Sequence, residues 1–70
     1  MFIKNLDDCF IIAKGNNEMD ELLAAIKNAT SIDELEEAEQ FWYLDDVICE
    51  YRNDLESLKE NAAQVYQEYK

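Results

Sequence analysis

The chain contains no proline and a single glycine, Gly15. These two residues are the strongest punctuators of local structure, supplying turns, hairpins and breaks. A sequence nearly free of them favours a few sustained helices over closely spaced strands. The expected fold class is all-α, a small helical bundle forming one domain over residues 1–70. A chain this short buries roughly 60% of the surface its unfolded form exposes. Folds of this size usually rely on a disulfide, a metal, very regular helix packing or a second copy of themselves.

Three helical segments are predicted. Over residues 5–14, Leu6, Cys9, Phe10 and Ala13 recur at helical spacing, in phase with Phe2. Asn5 precedes Asp7 and Asp8 as an N-cap with first-turn acids, and Gly15 marks a helix end. The alternative is a short β-hairpin, with Phe2-Ile3 and Phe10-Ile11-Ile12 as strands and Asn5 to Asp8 as the turn. Residues 17–28 read as a clearer helix, capped by Asn17, with Met19, Leu22, Leu23 and Ile26 in one apolar stripe.

The third segment, 31–69, opens with a capping box, Ser31 followed three residues later by Glu34. Its second half carries a heptad seam: Phe41, Leu44, Ile48, Tyr51, Leu55, Leu58, Ala62, Val65 and Tyr69. That is the signature of helix packed lengthwise on helix, and Phe41 to Leu58 are accordingly candidate self-association residues. The seam does not extend backwards. Ile32, Leu35, Ala38 and Trp42 form an earlier stripe on the other side of a straight helix. A break near 40–45, or at the second cap-like stretch beginning at Asn53, reconciles the two phases. Phe41-Trp42-Tyr43 spread over about 200° of helix surface, with Phe41 in the seam, Trp42 in the earlier stripe and Tyr43 at least partly exposed.

Most catalytic schemes lack their parts. There is no histidine, so triads and zinc motifs that need one are excluded. No Gly-rich phosphate loop or calcium loop is present. The adjacent pairs Asp7-Asp8 and Asp45-Asp46 point about 100° apart on a helix and do not converge on one ion. No catalytic residue, metal ligand or cofactor is expected. Cys9 and Cys49 have neither metal nor redox spacing, and their apolar neighbours suggest small buried side chains. The N-terminal stretch lacks the pattern of a signal peptide, and no apolar run approaches the ~20 residues that span a bilayer. A cytoplasmic protein is expected, in a cell or delivered into one by a virus.

The remaining feature is charge. The net charge is −11, of which the stretch from Asp33 to Glu56 holds −9: ten acids against one base, Arg52. Lys and Arg dominate binding to nucleic acid and anionic membrane, so direct contact with either is disfavoured and a basic protein is the expected partner. As one straight helix, these residues would span about 36 Å at 1.5 Å each. That places a carboxylate every ~3.6 Å, close to the ~3.4 Å phosphate spacing along one DNA strand. Asp46, Glu50 and Asp54 form an i, i+4, i+8 row opposite the seam, joined by Tyr43 and, if the helix is unbroken, by Glu36. Like charges at this spacing cost a helix a few tenths of a kcal/mol per pair.

Tyr43, Asp45, Asp46, Glu50, Asp54 and Glu36 are therefore the candidate partner-binding residues. In size, charge and helicity the chain resembles the small proteins that phages use against host restriction or CRISPR machinery, some of which mimic DNA. The resemblance is one of composition, carried by no motif, and implies an inhibitor of a nuclease or other nucleic-acid-binding protein. Two plainer readings stand beside it: a solvated helix face that keeps the protein soluble, and a structural module that assembles as a homo-oligomer through the seam.

Overall fold

In the computed structural model, which describes residues 5–70, the chain forms five α-helices joined by turns and two 3-10 segments. The helices are α1 (Leu6–Gly15), α2 (Met19–Asn28), α3 (Ile32–Glu37), α4 (Asp45–Ile48) and α5 (Leu55–Tyr69). The 3-10 segments, Glu39–Leu44 and Cys49–Tyr51, flank α4. There is no strand among the described residues, so the hairpin alternative for 5–14 gives way to helix. The positions of Phe2 and Ile3 lie outside the described residues.

Local chemistry fixes α1. The Asn5 side chain accepts the N–H of Asp8 at 3.1 Å, satisfying one of the orphan donors of the first turn. The helix stops beyond Gly15, at a left-handed Asn17 with φ 60°. The Glu18 N–H donates to the Ala13 carbonyl at 2.7 Å and the Asn17 N–H to that of Lys14 at 3.2 Å, the paired bonds of a Schellman close. Asn17 thus ends α1 instead of capping α2, whose N-cap is Glu18, with no side-chain cap bond. Asparagine tolerates this backbone better than most residues, and it occupies the position glycine usually takes.

The predicted 31–69 helix is broken at both suspected places. Unbroken it would run nearly 60 Å at about 1.5 Å per residue, whereas the longest dimension of the described protein is 27 Å. The first break is at Ala38 (φ −78°, ψ 87°) and Phe41 (φ −106°, ψ 47°). The second ends at Asp54, whose carboxylate accepts the Ser57 N–H at 3.2 Å and the Ser57 hydroxyl at 2.7 Å. This caps α5. The Ser31–Glu34 box forms one residue early: Glu34 takes the N–H and hydroxyl of Thr30, at 3.0 and 2.6 Å, and the Ser31 side chain makes no cap bond.

These turns let α5 fold back against α1 and α2, which also pack on each other, while α3, α4 and the first 3-10 segment close the remaining side. Leu6, Cys9, Phe10, Ala13, Leu22 and Ile26 meet Phe41, Tyr43, Leu44, Ile48, Leu58 and Ala62 in a single core. The seam therefore points inward as predicted, but its partners belong to the same chain. Phe41, Leu44, Ile48 and Leu58 are 0–1% exposed, and Tyr51 and Leu55 are partly buried against the same core. Within one chain, then, four of the six candidate self-association residues are taken up by the core, and Tyr51 and Leu55 stay partly exposed. A chain too short to leave a long amphipathic helix unpaired satisfies the seam by doubling back on itself.

Candidate functional site

All ten acids between Asp33 and Glu56 are exposed. α3 carries Asp33, Glu34, Glu36 and Glu37, and the first 3-10 segment carries Glu39. α4 carries Asp45 and Asp46, the second 3-10 segment Glu50, and the start of α5 Asp54 and Glu56. The charge thus faces solvent, but along a bent path, so the straight ridge with one carboxylate every few ångströms is not formed.

The candidate residues separate accordingly. Asp45, Asp46 and Glu50 are exposed and lie on one run of right-handed backbone through α4 and into the second 3-10 segment. Asp46 and Glu50 keep their four-residue spacing there. Asp54 leaves the row, because its carboxylate is committed to Ser57 as the cap of α5. Glu36 is brought beside the second 3-10 segment by an ion pair, 3.5 Å from the Arg52 guanidinium, with both side chains substantially exposed. The same guanidinium lies 4.0 Å from the Cys49 sulfur. This is the one salt bridge among the described residues, and the charge of Lys59 also favours the ionised form of Glu34.

Tyr43 corrects a prediction. It is fully buried, and its hydroxyl donates to Glu18 Oε2 at 3.0 Å, tying the first 3-10 segment to the start of α2. Burial, and then the neighbouring Glu18 carboxylate, hold the phenol far above its ordinary pKa. Its carbonyl accepts the Cys9 thiol at 3.3 Å. Cys9 is buried as predicted, and burial, with the nearby charges of Asp8 and Asp46, pushes its pKa up to about 12. Cys49, predicted to be buried, is an exposed free thiol, because the second 3-10 segment turns it away from the core.

Trp42 is the converse case. The stripe Ile32, Leu35, Ala38, Trp42 predicted it inside, yet it is 61% exposed. Ile32 and Leu35 do face the core. The non-helical backbone at Ala38 and Phe41 then resets the phase, turning Phe41 and Tyr43 inward and the indole outward. The Trp42 and Tyr43 rings meet edge to face, with centroids 5.5 Å apart at 74°. Three consecutive aromatics signalled in sequence that one must point outward. Which one it is depends on a backbone break that periodicity locates only approximately.

No group of three potential ligands suited to a metal ion occurs among the described residues. A cleft of about 460 Å³ lies between the end of α1, the start of α2 and the end of α5. It is lined by Lys14, Asn17, Met19, Asp20, Tyr66, Tyr69 and Lys70, with the Tyr66 hydroxyl bonded to Asp20, and none of the ten acids reaches it. No described helix is long and apolar enough to cross a membrane. No protein-family model matches the chain, and comparison with curated proteins and with solved structures finds no significant match.

Proposed function

We propose that this chain is a small acidic binding protein that occupies a basic surface of another protein through the face carrying Asp45, Asp46 and Glu50. One observation carries the reading: every carboxylate between Asp33 and Glu56 is exposed, and a single arginine is the counterion within that stretch. Such a field accelerates encounter with a positive partner and penalises a negative one. Nucleic-acid-binding proteins present positive grooves of this kind, and inhibitory occupation of such a groove is the form of the function that the charge suits best. Strand-like regularity of spacing is not part of the proposal, because the acids follow a bent path. The assembly alternative draws no support from the seam, which is spent within one chain.

The test uses the full chain and its Asp45→Lys/Asp46→Lys/Glu50→Lys variant as baits in an extract of the source cell. Asp54 is left unchanged, since replacing it would remove the cap of α5. A basic protein retained by the wild type, released as salt rises and absent from the variant is the expected result. Displacement of that protein by double-stranded DNA identifies a nucleic-acid groove as the contact. Equal retention by both baits removes the proposal.

A further inference from the structure

We propose that Trp42 and the carboxylates one turn beyond it form an arginine-binding site, in which a guanidinium of the partner stacks on the indole and donates to Asp45 or Asp46. This deepens the acidic-face reading and rests on it, but it names a residue chemistry that the charge alone does not.

The indole is the anomaly of the surface. Indole burial is among the largest hydrophobic gains a side chain offers, and this fold places Tyr43 and Phe41, on either side of Trp42 in the chain, at 0% and 1% exposure while leaving the chain's sole tryptophan at 61%. Tyr43 meets the indole at 74°, edge to face, so its ring does not stack parallel on the indole. Among the described residues, neither lysine nor arginine sits over the ring. The backbone places the acids: the Asp45 N–H donates to the Trp42 carbonyl, so Asp45 lies one turn on, with Asp46 next to it. Side chains three and four residues apart on a helix are neighbours.

A planar guanidinium matches this pairing. It stacks on an aromatic face, is attracted by the ring quadrupole and presents a fork of donors to a carboxylate. An ammonium is a hydrated point charge that satisfies only part of the arrangement. Other occupants fit worse. An apolar wedge over the indole would strip water from Asp45 and Asp46 and leave them without partners. A second copy of the chain brings −11 against −11, and its single arginine is already paired with Glu36.

The experiment titrates the intact chain with two end-blocked tetrapeptides, tetra-arginine and tetra-lysine, at equal ionic strength. Binding is read from the fluorescence of Trp42 and from backbone amide shifts. The arginine peptide is expected to bind about two- to fivefold more tightly, the range for an exposed cation–π contact, and to perturb the indole more strongly. Trp42→Ala, at an exposed site, is expected to keep the helical circular dichroism and to reduce the arginine preference read from the amides. Equal affinities for the wild type, or an arginine preference undiminished by Trp42→Ala, overturn the assignment while leaving the acidic face standing. Failure of both peptides to bind removes both.

Discussion

Replacing Tyr43 by Phe isolates the one hydrogen bond that ties the first 3-10 segment to α2. The ring is fully buried and its hydroxyl donates to Glu18 Oε2 at 3.0 Å. Hydrogen bonds to charged groups contribute about 1.5–3 kcal/mol net. Glu18 is only partly buried, so its carboxylate regains water when the hydroxyl is removed and no acceptor is stranded. The cost should therefore fall at or below the low end, about 1–1.5 kcal/mol. For a domain of this size, that lowers the melting temperature by roughly 5–10 °C. Thermal and urea unfolding at pH 7, followed by helical circular dichroism, measure it. A double-mutant cycle with Glu18→Ala should return a coupling of about 1 kcal/mol. Tyr43→Ala, which also empties the ring's place in the core, should cost about 3–5 kcal/mol. A Tyr43→Phe change within about 0.3 kcal/mol of wild type, or no coupling to Glu18, would show that ring packing alone positions this segment.

Gly15→Ala should raise stability by about 0.4–1 kcal/mol, because Gly15 ends α1 at an ordinary φ and a Cβ there meets no atom within 4 Å; urea midpoints check it. Asp54→Ala should lower stability by about 0.5–2 kcal/mol through loss of the α5 cap, whereas Asp46→Ala should change it little, a contrast that the same melts resolve. A thiol-specific reagent should titrate Cys49 at once and Cys9 only as the protein opens, since Cys49 is exposed and Cys9 buried; two fast thiols in the native protein would refute the packing of α1. Stability should fall as pH rises above about 9. In that range the unfolded Cys9 ionises near the ordinary thiol value of 9.0, while the folded thiol keeps its proton to about 12. The folded state then binds more protons than the unfolded one, so alkali favours unfolding. Melting curves from pH 7 to 11, flatter for Cys9→Ala than for wild type, measure this.

Local signals in the sequence determined the helices and the inward faces of most of them. Asn5 and Asp54 cap through bonds to the third residue beyond, and the heptad seam marked Phe41, Leu44, Ile48 and Leu58 as inward-facing. Each of these depends on residues within one or two turns of each other, so spacing alone reveals them. The ten acids were likewise destined for the surface, because nothing in so small a core could compensate their desolvation. Tertiary structure decided whom the seam faces, and which of Trp42 and Tyr43 is outside. Folding α5 back onto α1 and α2 brought the seam to the chain's own core. The breaks at Ala38 and Phe41 rotated Tyr43 into reach of Glu18 and left the indole exposed. Helical periodicity carries no information across a break in the helix. Beyond that point, the direction of a side chain is set by residues distant in sequence, through the packing they permit.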